Sequence, residues 1–284
     1  MSRLKQFLND YSIIDECIVI AKKFGEDIIL GKNRDRNYTP EIKIVRELAP
    51  KNIEICYLMD QETNWTEGMN SEGIGIVNTA LMVTDDEKEI DKVKSGRKKS
   101  KDGIRVKEAL RKGNIENAIK SLLSFEGGIK GHTMISDGVK LAIIENTSRV
   151  KPIVKYHDLK EPLVRTNHGI EHPEQGYTEG EDAESSNIRY DNSLKLLKSV
   201  DNYKKLFPLF FNHTQDKGSK FDLVRTQNKL YTSSQLLMNL NKKEMILYLI
   251  PGAVKFLGFE NNVPKNYEPK INMVIRQYQS SPNN

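Results

Sequence analysis

The chain of 284 residues has only two cysteines and one tryptophan, and it contains no long apolar run. Two cysteines, Cys17 and Cys56, are too few for a disulfide-rich scaffold or a four-cysteine zinc module. No apolar stretch reaches the roughly 18 residues that cross a bilayer. The start of the chain also lacks the apolar core of a secretory signal. We therefore expect a protein without a membrane segment, located in the cytoplasm.

The charge balance is close to even. The net charge is +5, and the 37% hydrophobic and 29% charged residues are typical of a soluble globular protein. The lysine-rich segment 92–112 has no aromatic residues between its charges, which favours a solvated surface over a nucleic-acid arm. We expect neither nucleic acid nor membrane as a partner, and a homo-oligomer stays open.

The hydrophobic pattern predicts an α+β protein. Two short β-rich runs, 17–21 and 28–31, flank a turn at 24–27 and form a hairpin. Helical spacing occurs over 104–125, and a serine at 185 or 186 can cap a helix over about 187–200. Many further β runs separate these helices, and the tail after Pro251 is expected to be mostly loop. Antiparallel sheets with helices against their faces form a layered sandwich.

Cys17 is the first candidate for chemistry. It opens the first regular strand, after an irregular leader that covers residues 1–16. If the chain were cut between Glu16 and Cys17, the new α-amine would have a pKa near 8. That amine could accept the thiol proton, so no histidine base is required. The alternative is a buried strand cysteine without a catalytic role, which is also how we interpret Cys56.

A polar loop is expected after the hairpin, at residues 32–36. Antiparallel pairing would bring this loop back beside Cys17. Asp35 could then hold an ammonium group, and either Lys32 or Arg34 could favour a thiolate. The alternative is a polar turn with solvated charges.

Two asparagines are candidates for stabilising an oxyanion. Asn78 lies inside an otherwise apolar strand, where a buried amide must be hydrogen-bonded, and Asn167 lies where a strand meets a loop. Two side-chain amides directed at one point form an oxyanion hole, which contributes about 3–4 kcal/mol per donor. The alternative for both is a turn-capping role.

These elements follow one another in an order that resembles the N-terminal-nucleophile (Ntn) cysteine hydrolases. The resemblance is to the choloylglycine hydrolase-like branch, with penicillin V acylase, bile salt hydrolase and acyl-CoA:6-aminopenicillanate acyltransferase. The residues that carry it, between Cys17 and about Leu197, are Cys17, Gly31, Lys32, Asn33, Arg34, Asp35, Gly68, Met69, Asn70, Gly73, Asn78, Arg165, Thr166, Asn167, His168, Ser186 and Arg189.

The resemblance implies a four-layer αββα fold and cleavage of a linear amide bond in a small N-acyl substrate, without a cofactor. It implies autocatalytic removal of residues 1–16, which leaves one domain over 17–284. Cys17 would be the nucleophile, Asp35 would bind its amine, and Asn78 and Asn167 would frame the oxyanion hole. Arg189 would organise the site. Lys32 stands where bile salt hydrolases usually have arginine, so the active-site cation is either Lys32 or Arg34.

Two alternatives remain. His168, Glu171 and His172 match the order of an inverted zinc-peptidase motif, whose histidines must share one helical face. Gly169 and Pro173 oppose a helix there, so we expect a loop without a metal. The other alternative is a non-catalytic small-molecule-binding protein with the same fold.

Overall fold

Two stacked β-sheets form the centre of the computed structural model, which describes residues 15–81, 102–124, 130–147, 150–210, 221–226 and 230–278. The strands are β1 (Asp15–Phe24), β2 (Asp27–Arg36), β3 (Glu41–Ala49), β4 (Ile53–Asp60), β5 (Thr66–Asn70), β6 (Gly75–Thr79), β7 (Gly131–Ser136), β8 (Leu141–Asn146), β9 (Ile153–His157), β10 (Leu163–Arg165), β11 (Tyr231–Asn239), β12 (Glu244–Leu249), β13 (Lys255–Asn262) and β14 (Asn272–Gln277). The helices are α1 (Asp102–Leu110), α2 (Ile115–Leu123), α3 (Gly180–Ser199) and α4 (Tyr203–Phe210).

The first sheet has the strand order β10–β1–β2–β11–β12–β14, and the second has β13–β3–β4–β5–β6–β7–β8–β9. Pairing is antiparallel, except that β14 runs parallel to β12 and β13 runs parallel to β3. The two additions come from the end of the described chain. The expectation that the tail after Pro251 is mostly loop is therefore wrong.

Three apolar clusters separate four layers. One lies between the sheets and includes Val19 and Ala21 of β1. A second packs α1 and α2 against the second sheet, and a third packs α3 and α4 against Ile18 and Ile20 of β1. The alternation along β1 follows the two-residue period of a strand. The order helices, sheet, sheet, helices confirms the predicted αββα sandwich.

Residues 32–36 do not form the expected polar loop. They continue β2, and all five are buried. A run of charged residues usually indicates solvent exposure. Here the run is buried, because ion pairs with other strands compensate the charges. Gly68, one of the residues that carry the family resemblance, lies within β5, where a Cβ atom would come within 2.3 Å of the Cys56 carbonyl oxygen.

The predicted helix over 104–125 is two helices, which are separated by a turn at 111–114. Asn114 caps α2, because its Oδ1 atom accepts a 2.9 Å hydrogen bond from the Asn117 backbone N–H. Helix α3 begins at Gly180, so Ser185 and Ser186 are buried inside it and are not caps. Residues 92–101 of the lysine-rich segment lie outside the described residues. None of the helices in the described ranges combines the length and apolar character needed to cross a membrane.

Candidate active site

Pairing between β1 and β2 places Glu16 directly opposite Asp35, one position before Cys17. Because side chains alternate along a strand, Glu16 shares the helix-facing side of the sheet with Ile18. Cys17 shares the side that faces the second sheet with Val19. The two residues of the predicted cleavage site therefore point into different environments, one on each face of the first sheet.

The Glu16 carboxylate is bound by three side chains. It accepts hydrogen bonds from Arg189 Nη2 at 3.0 Å, Arg225 Nη1 at 2.7 Å and the Tyr177 hydroxyl at 2.9 Å. Burial by itself would raise the pKa of Glu16, but Arg225 and Arg189 outweigh burial and lower it. Glu16 is thus held as a buried anion.

Asp35 completes the same charge cluster. Its carboxylate accepts a 2.7 Å hydrogen bond from Thr232 Oγ1 and lies 3.7 Å from both Arg189 Nη1 and Arg225 Nε. Burial raises the pKa of Asp35, with the nearby Glu16 charge adding to the effect, although the two guanidinium groups oppose it. The carboxylates of Glu16 and Asp35 and the guanidinium groups of Arg189 and Arg225 therefore form one buried charge cluster on the helix-facing side of the first sheet.

Asn167 connects this cluster to the backbone of Cys17. Its Oδ1 accepts a 3.0 Å hydrogen bond from Arg189 Nη2, and its Nδ2 donates to Thr79 Oγ1 at 3.2 Å and to the Ala80 carbonyl at 2.9 Å. Thr79 Oγ1 in turn donates to the Cys17 carbonyl oxygen at 3.2 Å. One chain of hydrogen bonds therefore links the Cys17 carbonyl, through Thr79 and Asn167, to Arg189 of α3.

The Cys17 thiol contacts a cation on the opposite face. Arg36 Nη1 lies 3.6 Å from Cys17 Sγ, within hydrogen-bonding range for sulfur, and Arg36 Nε lies 3.6 Å from Asp60 Oδ2. The cation that the structure places at the sulfur is thus Arg36, which the sequence analysis did not select. Its place two residues after Arg34, on the same face of β2, was the available signal.

Lys32 and Arg34, the two predicted cations, are held by carboxylates. Arg34 pairs with Glu67 and lies 3.6 Å from Asp60, while Lys32 Nζ lies 3.3 Å from both Glu67 and the Asn78 Oδ1 atom. Burial would raise the pKa of Glu67, but Arg34 and Lys32 lower it. A second polar network therefore runs along the face of β2 that carries the Cys17 thiol.

The two predicted oxyanion amides have different partners. Asn78 Nδ2 donates to the Thr66 carbonyl at 3.3 Å, whereas Asn167 Nδ2 donates toward Thr79 and Ala80. Both amide groups therefore donate hydrogen bonds to acceptors within the protein in the uncleaved chain. The structure brings Asp35, Asn167 and Arg189 into one network, with Cys17 attached through Thr79, and it joins Asn78 to the second network through Lys32.

The whole site is closed to solvent. The predicted catalytic residues are each at most 1% exposed: Cys17, Asp35, Asn78, Asn167 and Arg189. A substrate can reach the thiol only after covering residues move or leave.

Sequence analysis also missed Arg225, Tyr177, Asp60 and Glu67. Tyr177 lies in the loop before α3 and Arg225 lies in the segment after α4, and both are far from Cys17 in sequence. No local pattern marks them, and only the folded chain shows that they converge on Glu16. Glu67 is one residue before Gly68 of the motif set, and it carries no separate signal.

The segment with the zinc-peptidase order is a loop, as expected. The His168 Nδ1 atom lies 2.9 Å from Ser186 Oγ, and Glu171 is paired with Lys155. Within the described residues, no three His, Cys, Asp or Glu side chains form a group that could hold a metal ion. Because this segment is not helical, His168 and His172 do not share the helical face that the zinc motif requires.

Comparison with known proteins identifies the fold. The chain is similar in structure to the Caenorhabditis elegans ortholog of N-acylethanolamine-hydrolyzing acid amidase, with a TM-score of 0.58 and 13% identity over 79% of this chain and 93% of the amidase chain. Penicillin V acylase from Agrobacterium tumefaciens matches with a TM-score of 0.44 and 10% identity over 82% of this chain and 86% of its own.

A mutant conjugated bile acid hydrolase from Clostridium perfringens matches with a TM-score of 0.42 and 13% identity, over 80% of this chain and 87% of its own. No protein-family model and no curated protein sequence matches the chain. The likeness to the amidase confirms the predicted Ntn-hydrolase fold.

Proposed function

We propose that this chain is a self-processing amidohydrolase, or a related acyltransferase, whose nucleophile is the Cys17 thiol. The observation that carries the proposal is the hydrogen-bond chain from the Cys17 carbonyl through Thr79 and Asn167 to Arg189, which also contacts Glu16 and lies beside Asp35. The C. elegans amidase with the same fold is named for hydrolysis of an N-acyl amide.

The first reaction is cleavage of the chain itself. Cys17 Sγ attacks the carbonyl carbon of Glu16, the Glu16–Cys17 C–N bond breaks, and a thioester forms. The thiol proton goes to the nitrogen, which becomes the α-amine of Cys17. Water then hydrolyses the thioester, residues 1–16 leave as an acid, and the thiol is regenerated. Arg36 favours the thiolate, because a guanidinium beside sulfur stabilises negative charge.

Turnover of substrate repeats this chemistry in two steps. The α-amine accepts the Cys17 proton, the thiolate attacks the amide carbonyl, and the α-ammonium protonates the departing amine. Asp35 holds the ammonium, and Asn78 and Asn167 turn their amides toward the oxyanion. Water releases the acid from the thioester. An incoming amine would instead complete an acyl transfer, and both outcomes use the same residues.

Alkylation tests the assignment of the nucleophile. Iodoacetamide should inactivate the processed protein and label Cys17, whereas a metal chelator should leave hydrolysis of N-acyl amides unchanged. Cys56 supplies an internal control, because burial raises the pKa of its thiol to about 12. Inactivation by the chelator alone would favour the zinc-peptidase alternative. A processed protein that binds N-acyl compounds without cleaving them would favour the non-catalytic binding protein.

A further inference from the structure

We propose that Glu16 fills a carboxylate-binding pocket which, after residues 1–16 leave, receives a carboxylate at the far end of the substrate's acyl group. This inference rests on the proposed function and names its substrate class, amides of short dicarboxylic acids. Arg189, Arg225 and Tyr177 form the pocket, and the Glu16 side chain is the chain's own occupant.

The pocket is built for an anion. Arg225 Nη1 and Arg189 Nη2 donate to the same oxygen, Glu16 Oε2, while the Tyr177 hydroxyl donates to Oε1. Arg225 Nη2 also donates to Ser185 Oγ at 2.8 Å, which fixes the guanidinium against α3. Both arginines are at most 2% exposed, so water cannot replace the carboxylate at low cost.

Cleavage before Cys17 changes the charge of the cluster. In the uncleaved chain, Glu16 and Asp35 balance Arg189 and Arg225. Cleavage removes the Glu16 carboxylate and adds an α-amine, so Arg189 and Arg225 each lose an anionic partner while the cluster gains a cation. Loss of an anionic partner from a buried guanidinium is costly, which favours an anionic group entering the pocket with each substrate.

The same thiol attacks Glu16 during processing and the substrate during turnover, so the acyl group of the substrate replaces residue 16. In glutamate, three carbon atoms separate the backbone carbonyl carbon from the side-chain carboxyl carbon. A glutaryl group has the same separation between its amide carbonyl and its free carboxylate. An N-glutaryl amide is therefore the probe that matches the geometry of the pocket.

A binding experiment tests the pocket without requiring cleavage. In the full-length double variant Glu16→Ala, Cys17→Ala, the chain stays uncleaved and the pocket is empty. Acetate should raise its melting temperature by several degrees, and neutral acetamide at equal concentration should not. The Cys17→Ala variant, whose pocket still holds Glu16, is the matched control and should not respond. Equal responses of the two variants, or none in the double variant, would overturn the pocket assignment.

A kinetic experiment tests the substrate class, first on the processed wild type and then on one pocket variant. The value of kcat/KM for an N-glutaryl anilide should exceed that for its methyl ester by at least about tenfold, because the site's buried donors are left unpaired by the ester. In Arg225→Met this ratio should fall toward one. Hydrolysis without preference for the acid overturns this inference and leaves the proposed function intact. Absence of cleavage at Glu16 overturns the proposed function itself.

Discussion

The Nη2 atom of Arg189 lies 3.0 Å from the Oδ1 atom of Asn167, and this contact orients the asparagine so that its amide nitrogen faces Thr79 and Ala80. The amide therefore has a fixed donor side. The proposed oxyanion role of Asn167 depends on this amide nitrogen, which now donates to Thr79 and Ala80, so Asn167 is the most direct amide to test.

Asn167→Ala should slow self-cleavage by about 10²–10³-fold, the usual effect of removing one oxyanion donor. Asn167→Asp should also be slow, since it keeps an acceptor for Arg189 but lacks the N–H donor. The rate is measured as loss of residues 1–16 by mass spectrometry. Asn117→Ala, at an exposed position of α2, is the control and should process at the wild-type rate. Equal rates for Asn167→Asp and wild type would contradict the donor role.

Arg189→Met should lower the free energy of unfolding of the uncleaved Cys17→Ala chain by about 3–5 kcal/mol. The reason is that Glu16 and Asp35 would lose one of the two cations that they share, and a broken buried pair leaves an uncompensated charge. Chemical denaturation monitored by circular dichroism measures the change. Lys195→Met, exposed on the same helix, should stay within about 0.5 kcal/mol of its parent. Similar losses for both variants would show that the buried pair contributes little.

Acid should destabilise the chain through Glu67. Its pKa in the folded state lies below the ordinary value of 4.5, because Arg34 and Lys32 outweigh the effect of burial. The unfolded state therefore binds more protons, and the stability that Glu67 provides is complete above pH 4.5 and is lost as the pH falls below it. Glu67→Gln should be less stable at neutral pH and should show a flatter decline under acid. An unchanged decline would remove Glu67 as its source.

Gly131→Ala should disturb the site through the backbone. Gly131 has φ of +117°, and a Cβ atom would lie 2.0 Å from the carbonyl oxygen of Thr79, whose hydroxyl donates to the Cys17 carbonyl. Gly25 also has a positive φ, but its Cβ would meet nothing within 4 Å. Gly25→Ala should cost only about 1–2 kcal/mol and process normally, whereas Gly131→Ala should lose more stability and process slowly. Melting curves measure the stability of the two variants, and mass spectrometry measures their processing. Equal stability and equal processing rates in both variants would count against the role of Thr79.

The sequence was sufficient to predict those parts of the fold that follow local periodicity. The β1–β2 hairpin and the layered arrangement both follow from apolar alternation and turn residues. The strand character of 32–36 could not be predicted this way, because its partners Asp60 and Glu67 lie on other strands. The pairing of β13 and β14 at the sheet edges is likewise decided by tertiary contacts, since both strands are largely exposed.

The candidate site was predictable only in part. Asp35, Asn167 and Arg189 were selected from their order along the chain, and the structure joins them in one network. Glu16 was treated only as the residue before the cut. Its role as a buried ligand of Arg189 and Arg225 depends on the alternation that directs it away from Cys17, together with a loop more than two hundred residues later.

The intact mass of the purified protein tests the central claim most directly. The wild type and the Cys56→Ala control should lose residues 1–16 and begin at Cys17, while Cys17→Ala should keep its full length. A wild-type chain that remains full-length and still hydrolyses N-acyl amides would contradict the account, because its Cys17 would have no α-amine to accept the thiol proton.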